Sequence, residues 1–312
     1  MPVVGRRVAP VTALLAGLAL LALPRVAEGA ACCLSATAFG TGRLLPWERF
    51  ALGVRTALIS TLGQWDADHR WQGRGAYRAH DWRSELYGMV ALPWRLELQA
   101  RLPWLVTYRS TAELSETGGG LGDAQAGLRW DAIRTGSYPY VPGVALLVGV
   151  LVPSGRPWYR SGTTLGADVT GRGAWVLSFA TSLEWVRDPL FGRIDLGVTV
   201  PLPSERDGPT GPTRTRYGTG LQVAAAGGWE VARNTVLSLI AHTSWESSVL
   251  YQGALQPDSG TLETGLGVAA SYRVHPHFTL HAAFDTGLFF RGLGRNLPGR
   301  MSGTLGLRYG YF

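Results

Sequence analysis

Few side chains in this chain could do chemistry, and histidine beside serine or aspartate is the combination to weigh first. His242 lies four residues from Ser238 and two from Ser244, and His281 lies four residues from Asp285. Residues four apart on a strand are about 13 Å apart, because a strand rises about 3.3 Å per residue. A nucleophile and its base must instead lie within hydrogen-bond reach. We therefore expect no enzyme, and interpret both histidines as polar lining residues.

Patterns for metal, phosphate and nucleic acid sites are also missing. The only cysteines, Cys32 and Cys33, are adjacent, which gives no disulfide framework and no second ligand cluster. The glycines at 118–120 lack the Lys-Ser/Thr of a phosphate-binding loop. The net charge is +7, but the arginines form no basic run. We expect no cofactor, no metal and no nucleic acid partner.

In several stretches of the sequence, polar and apolar residues alternate. Charged side chains occur at every second position of these stretches, and such a set of alternate positions is called here a parity. An arginine facing lipid at mid-depth would cost about 2–4 kcal/mol, so this parity is expected to face water or other charges inside a barrel. The candidate lumen-lining residues are Arg55, Glu85, Glu97, Gln99, Arg101, Asp123, Arg129, Asp131, Glu184, Arg193, Asp195, Glu263, Arg273, His281, Asp285 and Arg308.

The clearest element that would position such residues is the stretch 95–108. Leu96 and Leu98 begin an apolar parity, and Glu97 and Gln99 lie on the polar one. A helix would scatter these residues around its axis, whereas a strand places each set on one face. About twelve such stretches occur, each near the 9–11 residues that a tilted strand needs to cross a bilayer. The sequence predicts an all-β fold, a single antiparallel up-and-down transmembrane β-barrel of about 12 strands.

The connections between these stretches alternate in length. Those after odd-numbered strands are mostly long and polar: 63–80, 109–122, 153–173, 203–216, 246–260 and 291–299. Those after even-numbered strands are shorter, as at 93–94 and 187–192. Outer-membrane barrels have short periplasmic turns, longer extracellular loops and aromatic belts at both interfaces, and the aromatic residues here gather near both strand ends. We therefore expect the bacterial outer membrane as the location and its lipid as a partner.

The amino terminus has the pattern of a secretory signal peptide. Two arginines precede the apolar stretch 11–23, which has the usual length of about 7–15 residues, and small residues at 27–31 supply a cleavage site. The expected division is a signal peptide at 1–30, an amino-terminal segment at 31–47 and the barrel at 48–312. The segment at 31–47 either stays in the periplasm or enters the lumen as a plug.

Two short motifs carry a resemblance to a known family. The motif at 120–123, Gly-Leu-Gly-Asp, runs into AQAGLRW, and the motif at 151–155 reads Leu-Val-Pro-Ser-Gly. Together with a glycine-rich last strand that ends on Phe312, they resemble the outer-membrane "transporter" family named for the meta-pathway of phenol degradation. The resemblance implies a barrel that passes small, often aromatic or hydrophobic, compounds. A terminal Phe312 is also what the outer-membrane assembly machinery reads, so this machinery is an expected partner.

Two functions remain open from the sequence. The charged parity either lines an aqueous path for a small solute, or fills a closed structural or loop-binding barrel with ion pairs. Twelve strands lie between filled barrels of about 8 strands and open porins of about 16–18. The strand number therefore does not distinguish an open lumen from a closed one. An outer-membrane lipid hydrolase is a third alternative, which the histidine spacing argues against.

Overall fold

The computed structural model describes most of the predicted barrel. The described residues are 42–73, 75–138, 140–208 and 211–312. The predicted signal peptide and all of the amino-terminal segment before residue 42 lie outside the described residues. No helix within the described ranges is both long enough and apolar enough to cross a membrane.

Twelve long strands form the body of the molecule, and most of them have the alternation of polar and apolar residues that the sequence shows. They are β1 (Phe50–Trp65), β2 (Arg78–Leu92), β3 (Leu96–Ser110), β4 (Ala124–Ile133), β5 (Gly143–Val152), β6 (Val176–Arg187), β7 (Leu190–Pro201), β8 (Gly220–Ala232), β9 (Thr235–Glu246), β10 (Thr261–His275), β11 (Phe278–Gly287) and β12 (Pro298–Tyr311). The two 3₁₀ turns described, Pro93–Arg95 and Trp158–Arg160, lie in connections.

Each strand pairs antiparallel with the next, and the sheet closes on itself. β12 pairs with β1 from Phe50↔Tyr311 to Gln64↔Pro298. β9 pairs with β10 over twelve residue pairs, which completes the circuit. Closure leaves no barrel strand with an unpaired edge, as a membrane-spanning sheet requires. The predicted antiparallel barrel of about 12 strands is confirmed.

Short strands extend the barrel wall at the end where the long connections lie, here called the long-loop end. Ser115–Leu121 pairs with the second half of β3, from Trp104 to Ser110. Trp71–Gly73 pairs with β1, and Gly294–Arg295 pairs with β10. Ser204–Gly208, Gly211–Arg216 and two short segments of the connection after β9 form a separate small sheet. The opposite end, here called the short-turn end, has connections as brief as 188–189, 233–234 and 276–277.

The two faces of the barrel wall differ in chemistry. Leu86 is 60% exposed and its neighbour Glu85 only 2%. In a closed single sheet, side chains alternate between outside and interior, so the buried parity is the interior one. The outside is an apolar band that includes Leu98, Trp104 and Leu305. Because such a band is stable only against lipid, the fold places the chain in the bacterial outer membrane.

Candidate functional site

The short-turn end of the interior contains a buried carboxylate held by three arginines. Glu184 on β6 lies 3.2 Å from Arg43, 3.2 Å from Arg129 and 3.6 Å from Arg193. The Arg129 and Arg193 side chains are 2% and 4% exposed, so water screens these charges little. Burial of a charge is costly unless it is paired, and this carboxylate supplies a partner for all three cations.

Two aspartates balance the remaining charge. The Nε of Arg129 donates to Asp131 at 2.8 Å, and the Nε of Arg193 donates to Asp195 at 2.8 Å. With Glu184 and Arg43, the network has three acidic and three basic groups. Because the acidic and basic groups match one another in number, the network has no excess charge that would select an anion or a cation.

One of the three arginines does not belong to the barrel wall. Arg43 lies in residues 42–48, called here the N-terminal segment, which enters the short-turn end. The backbone N–H of Leu44 donates to Glu97 at 2.8 Å, and the Nε2 of Gln99 donates to the carbonyl of Gly42 at 3.2 Å. β3 therefore holds the segment through its inward side chains.

A second anchor lies on the other side of the segment. The Nη1 of Arg308 on β12 donates to Glu48 at 2.7 Å, and its Nη2 contacts the same carboxylate. Glu48 also accepts the backbone N–H of Leu45 at 2.7 Å. Gly310 leaves room for this carboxylate, since a Cβ there would lie 2.0 Å from it. The N-terminal segment is thus clamped between β3 and β12.

Apolar packing supplements these polar anchors. Leu44 is buried in one cluster with Ala51, Tyr87 and Met89. Tyr87 in turn packs over Gly53, where a Cβ would lie 2.3 Å from the ring. The segment therefore occupies a fitted position inside the barrel.

Basic residues predominate at mid-height on β1, β2 and β3. Glu85 lies 2.6 Å from Arg55 and 3.2 Å from Arg83. Arg101 of β3 lies on the same inward parity, beside Gln125 of β4 in the sheet register. This part of the wall has three arginines for one glutamate and is positively charged.

Above this level the interior contains a cavity of about 220 Å³. Its wall combines polar side chains of β4, β6, β7, β8 and β9 with two arginines, one glutamate and the apolar residues Leu151, Val176 and Trp245. Lining residues include Arg101, Gln125, Ser178, Thr199, Gln222 and Ser244. A separate, smaller cavity of about 20 Å³ is also lined by Arg101 and Gln125 and reaches Gln99, which contacts the N-terminal segment. The two cavities therefore share lining residues on the β3–β6 side of the interior.

The opposite wall holds the two histidines that the sequence singled out. The Nδ1 of His242 lies 3.5 Å from Asp285, and the ring lies over Gly265. Among the described residues, no serine or threonine hydroxyl is hydrogen-bonded to His242, and no three metal-ligating side chains come together. Glu263 and His281 lie on the same inward parity, both partly buried.

The two motifs behind the family resemblance meet at the long-loop end. Asp123 accepts the backbone N–H of Gly155 at 2.9 Å and that of Arg172 at 2.6 Å. The Ser154 hydroxyl donates to the carbonyl of Gly122 at 2.7 Å. Asp123 was a candidate lumen-lining residue, and its carboxylate is instead bound to the backbone of the 153–175 connection.

That connection folds back into the barrel mouth. Asp168, buried there, accepts from the Ser161 hydroxyl at 2.5 Å and from the Gly162 N–H at 2.8 Å. These two hydrogen bonds hold the pKa of the Asp168 carboxyl well below its usual range. The Thr107 hydroxyl on β3 donates to the carbonyl of Ala167, and both residues are buried.

The structure therefore sorts the candidate residues by height. Glu97, Gln99, Arg129, Asp131, Glu184, Arg193, Asp195 and Arg308 gather at the short-turn end. Arg55, Glu85 and Arg101 lie at mid-height on one wall, and Glu263, Arg273, His281 and Asp285 are partly buried on β10 and β11. Sequence reasoning missed Arg43 and Glu48, because their segment has no alternation that would indicate a direction.

Solved structures resemble this chain to different degrees. The COG4313 outer membrane channel from Pseudomonas putida F1 superposes with a TM-score of 0.71 at 15% identity, over 86% of this chain and 97% of that chain. The NanC porin gives 0.48 at 11% identity, over 83% and 98%, and the CymD monoaromatic hydrocarbon channel gives 0.45 at 12%, over 85% and 89%. No family model and no curated protein sequence matches the chain. The first likeness shows a shared fold, and the chain is an outer-membrane β-barrel.

Proposed function

We propose that the chain is an outer-membrane channel for small solutes, closed at its short-turn end by the N-terminal segment. One observation carries the proposal: the lower interior is filled by residues 42–48, a part of the chain outside the barrel wall. Side chains fixed to the wall cannot leave without unfolding it, whereas a clamped segment can. Its withdrawal would extend the cavity beside Arg101 toward the periplasmic end.

The polar lining supports passage of a hydrated or polar solute. Hydroxyl and amide groups can replace water around a solute, which keeps the cost of entry low. The sixteen candidate residues then divide into a clamp for the segment and a path lining. We propose that the clamp takes the eight candidates that lie at the short-turn end, around residues 42–48.

We also propose membership of the phenol-degradation type of outer-membrane transporter. Of the small aromatic or hydrophobic compounds that this resemblance implies, those that carry polar groups match the lining. The Gly120–Asp123 and Leu151–Gly155 motifs support this family, and their contact through Asp123 explains why they would occur together. Their role is to join two extracellular connections. Recognition of Phe312 by the assembly machinery remains part of the same proposal.

A closed structural barrel is the second candidate. The balanced ion pairs around Glu184 favour it, because they satisfy one another without a solute. Catalysis is not proposed, since a His242–Asp285 contact lacks a hydroxyl to activate among the described residues.

Single-channel recording in planar bilayers tests the channel proposal. Glu48→Gln weakens one anchor, and loss of a charged hydrogen-bond pair worth about 1.5–3 kcal/mol would shift the closed-to-open ratio by roughly tenfold or more. We expect more frequent opening in Glu48→Gln than in the native chain. Glu113→Gln, at an exposed position in a connection, is the matched control. Silence in all three proteins, with intact heat-modifiable folding, would favour the closed barrel.

A further inference from the structure

We propose that the 220 Å³ cavity is a binding subsite for a small neutral polyol, a solute with several hydroxyl groups and no charge. The inference rests on the proposed channel function and names a solute class for that channel. It does not depend on the family resemblance, which implies aromatic or hydrophobic compounds.

Five polar side chains of the lining are available to a solute. They are Ser178, Thr199, Gln222, Ser244 and Thr261, one from each of the neighbouring strands β6 to β10. Within the part of the chain that the structure describes, none of their hydroxyl or amide groups makes a hydrogen bond, and none of them is enclosed. Since all five lie on the inward parity, their donors and acceptors open into the cavity, where water or a solute can bond them.

The sheet register brings these groups together in pairs. Ser178 is directly opposite Thr199, and Gln222 is directly opposite Ser244. Directly opposite residues of an antiparallel pair have Cβ atoms about 4.5–5.5 Å apart. Gly220 leaves the Thr199 hydroxyl uncovered, because a Cβ there would lie 2.4 Å from its Oγ1. A solute with hydroxyl groups on successive carbons can therefore bond both members of such a pair.

The size of the cavity limits the length of the solute. At the ~30 Å³ that a water molecule occupies in the liquid, the cavity has room for about seven waters. Pockets for drug-sized ligands are larger, about 300–1,000 Å³. A four-carbon polyol, with about one non-hydrogen atom for each of those waters, fits this space.

The charges of the lining already have partners within the chain. Arg172 is paired with Glu246, and Arg101 also interacts with another group of the protein. An ionic solute would give up water and would have to compete with these contacts, and burying a charge without a counter-charge of its own is costly. A neutral solute leaves the contacts in place. The lining therefore favours an uncharged solute.

The polar groups of the lining also argue against a hydrocarbon. An apolar solute would displace water from these groups without replacing its hydrogen bonds, and a solute with one hydroxyl would satisfy only one or two of them. Leu151 and Val176 give the cavity an apolar side, against which the carbon chain of a polyol can pack. A polyol thus matches both sides of the cavity.

Erythritol, diethylene glycol and erythronate test the proposal, because each has four carbons and they differ in hydroxyl number or in charge. The full chain is reconstituted in planar bilayers, in native form and as Glu48→Gln, and the current is corrected for the conductivity of each solution. We expect erythritol to halve the current at a concentration about tenfold lower than diethylene glycol does, since two additional hydrogen bonds can supply that ratio. Erythronate, which is charged, should block less well than erythritol.

Deletion of two hydroxyls locates the subsite. Thr199→Val and Ser244→Ala, combined, change the shape of the lining little and should reduce the ratio between the two neutral compounds to about threefold or less. Thr181→Val is the matched control, because the sheet neighbours of Thr181 are Leu146 and Leu196 of the lipid face. It should keep the native ratio. If the double variant fails to fold by heat-modifiable mobility, Thr199→Val alone replaces it and should lower the ratio about twofold.

Four results would overturn the subsite. Equal block by erythritol and diethylene glycol in a conducting protein rejects the polyol while the channel stands. Stronger block by erythronate than by erythritol identifies an ionic subsite instead. An unchanged ratio in the hydroxyl-deletion variant shows that the preference arises elsewhere in the lumen. Absence of current in both the native chain and Glu48→Gln rejects the channel, and the subsite with it.

Discussion

The two ends of the barrel interior are built from the same alternating strands and differ in what fills them. At the short-turn end, buried charges of both signs surround the N-terminal segment. Toward the long-loop end, hydroxyl and amide side chains, a few apolar residues and fewer charged ones surround a cavity. β3 contributes to both, since Glu97 and Gln99 bind the segment and Arg101 lines the cavity. The difference shows that one inward face can bind a chain segment at one height and line a cavity at another.

The largest change in the stability of the barrel is expected from a substitution of Glu184. Glu184→Gln leaves three buried arginines without their shared carboxylate, and removing one partner of a buried ion pair typically costs about 3–5 kcal/mol. We expect the urea midpoint of the folded barrel in detergent to fall accordingly. The exposed Glu113→Gln variant should keep the native midpoint. An unchanged midpoint for Glu184→Gln would show that the short-turn end does not depend on charge pairing.

A smaller effect is expected at the long-loop end, where the stability of the 153–175 connection should depend on pH through the ionisation of Asp168. Its lowered pKa means that the folded connection binds this proton less readily than the unfolded chain does. The stabilisation is therefore complete above the ordinary carboxyl pKa of about 3.9 and is lost progressively as the pH falls below it. We expect pepsin to cut the 153–175 connection increasingly fast below about pH 4 in the native chain.

Asp168→Asn is the control for that measurement, because an amide does not titrate in this range. It should be cut faster than the native chain at higher pH and show little further change on acidification. If the two proteins have the same pH profile, the hydrogen bonds from Ser161 and Gly162 do not hold the connection in place.

The barrel could be predicted from sequence because its signal is local. Alternation at 95–108 indicates a strand with a charged face, and repeated alternation with long and short connections indicates a barrel. The contacts of Glu97, by contrast, depend on Leu44, which lies 53 residues away. No local pattern specifies such a pairing, so the sequence left both a lumen plug and a periplasmic tail open.

The cavity was missed for a different reason. Ser178 and Gln222 lie on the inward parity that the sequence shows, but the candidates were selected mainly by charge. A long charged side chain fills the lumen and finds a partner, whereas short residues leave space. Glycines and serines at inward positions are therefore the better sequence signal for a path, and charges are the better signal for a clamp.

Fixing the N-terminal segment reversibly in place tests most directly whether this segment closes the barrel and can withdraw from it. Leu44→Cys and Met89→Cys, which replace residues of one buried cluster, are combined in a Cys32→Ser, Cys33→Ser background, and single-channel current is recorded before and after reduction. If the segment closes the barrel and can withdraw, the oxidised protein should stay closed and the reduced protein should open. Equal conductance in the two states would contradict the account.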